Sequence, residues 1–221
     1  MKKLAYIASL FIWAGSSHAE LITWEISAGI TELNPDMVGY ANIGDVITLR
    51  YTFDNTIPDA EPGVIERGKY NNAVTSADIF LNSDHAQLDS VGYITILNDF
   101  SAGEDVYLTS SIDTAVINET LPSYGGFGFT GYTFTYKDND ATMFSDTNLT
   151  NEPILSGFDS LRLTLHFRNP PSGTVGLGSA ILADDLISIT QITAVPVPAA
   201  FWLFFSGAIC ILGIAKHKKH T

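Results

Sequence analysis

Residues 46–54, VITLRYTFD, place Ile47, Leu49, Tyr51 and Phe53 on one side of an extended chain and Val46, Thr48, Arg50 and Thr52 on the other. Successive side chains of a strand point to opposite faces, so strict alternation fits a strand with one face in a core and the other in water. The pattern recurs along the chain. In residues 21–27, Ile22, Trp24 and Ile26 oppose Leu21, Thr23, Glu25 and Ser27. In residues 161–167, Leu161, Leu163, Leu165 and Phe167 oppose Arg162, Thr164 and His166. Residues 127–136, FGFTGYTFTY, set Phe127, Phe129, Gly131, Thr133 and Thr135 against Gly128, Thr130, Tyr132, Phe134 and Tyr136. Weaker strand signals lie at 77–81, 91–97, 106–111, 174–182 and 186–193, and no segment between them carries a capped helical stripe. Many short strands separated by Gly, Asn, Asp and Pro predict an all-β body, an antiparallel β-sandwich or jelly roll.

The two ends of the chain break this pattern. Lys2 and Lys3 precede an apolar run at 4–13, and the small, polar stretch AGSSHA follows it and ends at Ala19. Ser17 and Ala19 supply the small side chains that signal peptidase needs, which predicts a signal peptide cleaved between Ala19 and Glu20. The apolar run is too short to cross about 30 Å of hydrocarbon. At the other end, residues 195–215 form a mostly apolar run, and no charged residue occurs from 186 to 215. As a helix rising 1.5 Å per residue that run is about 30 Å long, which predicts a single C-terminal transmembrane helix. Lys216, Lys218 and Lys219 follow it as a basic stop, the kind of flank retained in the cytoplasm, so the body faces outward. The chain therefore divides into a signal peptide (1–19), an ectodomain (20–194) and a C-terminal segment (195–221).

Pro196 and Pro198 remove backbone donors and fix φ, so the segment just ahead of the apolar run is extended and unpaired, a form that a protease or transpeptidase cleft can bind. Prolines ahead of a helix also serve as simple punctuation. The whole arrangement, VPVPAA (Val195, Pro196, Val197, Pro198, Ala199, Ala200), then FWLFFSGAICILGIA, then KHKKH, resembles the tripartite PEP-CTERM sorting signal. That family's commonest motif is Val-Pro-Glu-Pro, and here Val197 stands at the Glu position. The run is similar to the Val-Pro-Leu-Pro-Ala-Ala variant, with Trp202, Leu203, Phe204, Ser206 and Gly207 also matching. The resemblance implies processing near the proline motif by an exosortase, a membrane transpeptidase-like enzyme. It also implies an origin in bacteria that make exopolysaccharide. It covers residues 195–221 only.

All twenty-four acidic residues lie in the ectodomain against six basic ones, a formal charge of −18. Phosphate backbones are repelled by such a surface, so nucleic acid is not an expected partner. An acidic surface binds cations or keeps an exported protein soluble. The single cysteine, Cys210, lies in the apolar run, so the ectodomain has no disulfide, thiolate nucleophile or cysteine metal site. Its two histidines, His85 and His166, are too few for a three-histidine zinc site, and His166 falls on the polar side of its strand pattern.

The segment from Asp54 to Tyr70 reads as a polar loop whose Asp54, Asp59 and Glu61 are candidate Ca²⁺ ligands, Ca²⁺ taking about six to eight oxygens. The same carboxylates fit an acidic loop shaped by Pro58, Pro62 and Gly63. Asp138, Asn139 and Asp140 lack the central glycine of an EF-hand loop, Met143 standing there, and read as a turn, as do Asp184 and Asp185. No nucleophile elbow or phosphate-binding glycine loop is present, and catalytic residues are not expected. Tyr40, Tyr70, Tyr124 and Tyr132 are candidates for stacking on sugar rings, or for core packing.

These features predict an exported, non-catalytic structural or adhesive protein. It would sit in the inner membrane as a precursor facing the periplasm, then move to the cell surface or an exopolysaccharide-containing matrix. Signal peptidase and an exosortase are its expected processing partners, and no cofactor is required beyond a potential Ca²⁺. The alternative is a carbohydrate-binding module or secreted glycan-active enzyme on the same scaffold.

Overall fold

The computed structural model describes residues 21–89, 92–100, 103–112, 115–119, 128–149, 158–168 and 180–192. Ten strands form in chain order: β1 (Leu21–Leu33), β2 (Val46–Asp54), β3 (Arg67–Leu81), β4 (Asp84–Asp89), β5 (Gly92–Phe100), β6 (Glu104–Ile112), β7 (Ala115–Glu119), β8 (Gly128–Asp138), β9 (Ser160–Arg168) and β10 (Ala180–Ile192). A short 3₁₀ turn at Pro35–Met37 sits between β1 and β2.

These strands do not make a sandwich or jelly roll. β1 pairs with β2 on one side and with β10 on the other, and β2 pairs with β3. The sheet therefore runs β1–β2–β3–β5–β6–β8–β9–β10 and returns to β1, a closed eight-stranded up-and-down antiparallel barrel. β4 and β5 follow one path along β3, with Leu81 opposite Asp84 and Arg67 opposite Leu97. β7 extends that path by pairing with β4. Alternation in the sequence is the same for a sandwich and a barrel, since both have one apolar face per strand. Closure depends on bends. Bulges interrupt the β1–β10 register between Ser27 and Ala28, between Gly29 and Ile30 and between Ile30 and Glu32, and a further one interrupts β8–β9 between Phe129 and Gly131. Bulges strengthen twist and let a long strand curl around a barrel.

The β8 bulge also resolves a conflict within the sequence pattern. Gly131 has φ 145°, a backbone state that excludes most side chains, and the extra residue there shifts the phase. Phe129 is therefore buried together with Tyr132, Phe134 and Tyr136, although simple alternation puts it on the opposite side. Two further expectations fail. The segment expected to be a loop up to Tyr70 already contains the start of β3 at Arg67. Asp184 and Asp185 lie inside the single strand β10 rather than in a turn.

Inside the barrel, aromatic rings meet across the axis. Trp24 stacks on Tyr107 with centroids 5.3 Å apart, and Tyr107 stacks on Tyr136 at 4.8 Å. Tyr51 and Phe53 present edges to Trp24 at 5.9 and 5.8 Å. These separations are contact distances, so this part of the interior is filled by the chain's own side chains, as eight strands allow. The outer wall is polar. Thr23 with Thr52, Glu25 with Arg50, and Ser27 with Thr48 are directly opposed pairs, each bonded through the side chains at 2.9, 2.6 and 2.9 Å. Lys137 pairs with Glu104 at 2.6 Å and Arg162 with Asp184 at 3.3 Å on other strands. A lipid-facing wall has the reverse pattern, and a Lys or Arg at mid-bilayer costs about 2–4 kcal/mol there. At these outward positions the barrel wall is polar and charged. Among the described residues no helix is long and apolar enough to cross a membrane, and the expected span at 195–215 lies outside them.

The buried hydroxyls differ in their partners. Tyr51 and Tyr107 share a hydrogen bond of 2.9 Å, whereas the Tyr136 hydroxyl has no partner among the described residues. Burial pushes all three phenols above the usual tyrosine range, so they stay neutral. Tyr107→Phe leaves the Tyr51 hydroxyl unpaired and is expected to destabilise by about 1–3 kcal/mol. Tyr136→Phe deletes an unpaired group and is expected to be neutral or stabilising. Urea unfolding followed by Trp24 fluorescence measures both, and equal losses for the two variants would contradict this account.

Candidate functional site

One end of the barrel gathers the candidate calcium ligands and the 138–140 turn. Leu21, Asp54, Arg67, Phe100, Glu104, Asp138, Ser160 and Ile192 are strand ends at this rim. Thr23 lies opposite Ile192, so the chain enters and leaves the barrel side by side.

The three candidate calcium ligands are occupied separately. Asp54 Oδ1 accepts the backbone N–H and the hydroxyl of Thr56, at 2.8 and 2.6 Å. Asp59 Oδ1 accepts the N–H groups of Glu61 and Lys69, both at 2.9 Å. Glu61 pairs with Arg67 and, at 3.6 Å, with Lys69. These bonds shape the loop as turns and hold it on the start of β3. Among the described residues no group of three or more His, Cys, Asp or Glu side chains is placed to hold a metal ion.

Two other carboxylates at this rim were not legible as a pair. Asp105 and Asp138 are directly opposed on β6 and β8, and both are buried. Like charges in that arrangement repel, so each needs donors. Asp105 accepts the N–H groups of Asp99 and Phe144 at 3.0 and 2.6 Å. Asp138 accepts N–H from Asp140 at 3.1 Å and from Thr142 at 2.9 Å, with the Thr142 hydroxyl at 3.2 Å. Burial pushes the Asp138 carboxyl up, but these donors outweigh it and hold it below the ordinary 3.8. The turn predicted at 138–140 is therefore present, and its role is to fold the following segment back over the barrel.

That segment closes the rim. Met143, Phe144, Leu149 and Phe158 pack on the core, and Phe144 and Phe158 lie 6.4 and 6.2 Å from the Tyr136 ring. The Tyr70 hydroxyl donates to the Thr147 carbonyl at 2.6 Å. Gly68 is what lets Thr147 approach, because a methyl group there would overlap the carbonyl oxygen. At the opposite end, Met37 and Ala41 are buried under the 34–45 loop, where Ile30 bonds to both Gly44 and Asp45.

The described aromatic and histidine candidates are engaged by the core or by neighbouring side chains. Tyr132 and Tyr70 are buried, so neither offers a free ring face; Tyr40 packs partly on the core, and Tyr124 lies outside the described residues. His85 stacks on Phe80 at 4.6 Å and bonds to Asp78 at 2.9 Å. His166, expected to be solvated, is only partly exposed and lies 2.9 Å from Thr133 Oγ1. Ser110 Oγ donates to the Tyr132 carbonyl and sits 3.2 Å from Thr133 Oγ1. Thr133 then donates to Ser110 and accepts from Nε2–H of neutral His166. Ala19, Glu20, Val195 to Ala200, and Lys216, Lys218 and Lys219 all lie outside the described residues.

Comparison with protein-family models, with curated proteins and with solved structures found no match to this chain.

Two outcomes test this geometry. Gly68→Ala should push the 139–149 segment off the rim and lower stability by about 1–3 kcal/mol, the usual cost of overpacking. Proteolysis should then cut first within that segment, and an unchanged digestion pattern would show that Gly68 does not seat it. Burial holds the His166 pKa below 6.5, so the unfolded chain takes up that proton first and stability falls as pH drops through and below about 6.5. His166→Gln should flatten the change in urea midpoint between about pH 7.5 and 5, and an unaltered slope would assign it to other groups.

Proposed function

We propose that this chain is an exported surface or matrix protein, trimmed by signal peptidase and an exosortase, whose barrel is a structural or adhesive module without catalysis. The observation that carries the reading is the C-terminal run of VPVPAA, an apolar segment of membrane-spanning length and a basic stop. The fold agrees with it in three respects. All ten described strands lie between the two proposed processing points. The outer wall is polar and charged, as suits a body in water. The interior around Trp24, Tyr107 and Tyr136 is filled by the chain's own rings, which favours the outer surface and the loops over that part of the lumen for any ligand. In an exopolysaccharide matrix the acidic surface of the barrel repels like-charged chains and keeps the protein dispersed.

Intact mass of the protein recovered from exosortase-containing cells is the test. The expected species begins at Glu20 and lacks the residues beyond the proline motif. Retention of 201–221 in those cells would make the protein an ordinary tail-anchored one. Glycan binding by the barrel without turnover would move the reading toward a sugar-binding module, and turnover abolished by a single carboxylate change would overturn it.

A further inference from the structure

The proposed span follows the proline motif within nine residues of the end of β10, and that short link makes the Ile192 end of the barrel the one nearest the bilayer. A fully extended chain covers at most about 3.6 Å per residue, so the link from Ile192 through the proline motif to Phe201 reaches at most about 32 Å. The rim that carries Ile192 is therefore held near the membrane while the C-terminal segment is attached. Leu21 is its neighbour at that rim, since Thr23 lies opposite Ile192.

This rim carries apolar side chains that the core does not use. Ile65 is 89% exposed, Leu21 50%, Val64 41%, Phe100 38% and Ile192 37%. Val64, Ile65 and Phe100 belong together, because Asn98 N donates to Glu66 O at 3.1 Å and so extends the β3–β5 ladder toward them. We infer that this apolar rim, formed by Leu21, Val64, Ile65, Phe100 and Ile192, rests in the headgroup layer of a zwitterionic membrane surface for as long as the C-terminal segment is attached. The inference rests on the membrane reading proposed above.

Charge decides the kind of lipid. The basic groups of this end, Arg67, Lys69 and Lys137, are already paired with Glu61 and Glu104, which leaves Asp54, Asp59 and Glu66 in excess. An anionic leaflet would be repelled, so the fit is to a neutral headgroup surface. Five partly exposed side chains are too few to hold a barrel on a bilayer by themselves. A tether this short changes that, because a short link raises the local concentration of the rim at the surface to roughly the millimolar range. Cutting the tether removes this enhancement and frees the barrel. The contact is thus conditional on processing, and while it lasts it keeps the proline motif at the interface.

The test uses the precursor purified from cells lacking an exosortase and reconstituted in phosphatidylcholine vesicles with brominated acyl chains. Trp202, inside the proposed span, reports insertion in the unaltered protein. In a Trp202→Phe background, Trp24 is fully buried in the barrel and serves as a shielded baseline. Ile65→Trp in that background is expected to be quenched at least twofold more than Ile43→Trp, at the opposite end, where Ile43 is 71% exposed. Replacing half the lipid with phosphatidylglycerol at low salt should reduce the quenching. Equal, low quenching at positions 65 and 43 with Trp202 quenched would overturn the inference alone. Failure to quench Trp202 would overturn the membrane reading and the inference with it.

Discussion

The hydrogen bonds that join β1 to β10 turn a curved sheet into a barrel, and the other features of the body follow from that joint. Each strand of an open sheet that ends in solvent leaves a row of unpaired N–H and C=O groups, which invites other chains to pair. Here β1 is paired on both sides, with β2 along its first nine residues and with β10 nearly throughout. Closure also fixes which side chains must share the axis. Trp24, Tyr51, Tyr107 and Tyr136 are brought together from β1, β2, β6 and β8 because those strands face one another across the lumen. The bulges along β1 are the cost in regular pairing that makes the joint possible.

A filled lumen has a chemical consequence. Tyrosine hydroxyls in an apolar interior stay neutral and must find partners or remain unpaired, and both situations occur here, in the Tyr51–Tyr107 pair and at Tyr136. The same logic governs the rim. Asp105 and Asp138 are buried opposite each other only because backbone N–H groups of the 139–149 segment and of Asp99 turn toward them. The segment and the carboxylates therefore depend on each other, which explains how a stretch without regular secondary structure can seal a barrel end.

The sequence made the strands readable and left their closure unreadable. Ile47, Leu49, Tyr51 and Phe53, and likewise Ile22, Trp24 and Ile26, are buried as their alternation requires, because that pattern is a local property of the pleat. Whether the sheet folds on itself depends on pairing between residues such as Thr23 and Ile192, which no local pattern encodes. Phe129 was assigned to the wrong face because one glycine with an unusual backbone angle shifts the phase, and the residue type alone does not announce the bulge. Asp105 was missed for a related reason. Its strand alternates Asp105, Tyr107, Thr109 and Ser111 toward the interior, a set polar enough to hide the strand's inward face. The carboxylates at Asp54, Asp59 and Glu61 were legible as a cluster, but their separate partners appear only when the loop is folded.

The position of β10 governs how the barrel would bear a load. A protein held through its C-terminus and pulled from the far end would transmit force along β10, a strand of thirteen residues flanked by β1 and β9. Force along a strand stretches its lateral hydrogen bonds together, whereas force across it opens them one after another. Tension between the anchored end and the opposite loops would therefore meet the collective resistance of the β1–β10 joint. Tension applied between the two neighbouring chain ends would instead peel that joint from Thr23 and Ile192 inward. The arrangement of β1 and β10 thus predicts a barrel that resists tension along its axis more than tension between its two chain ends.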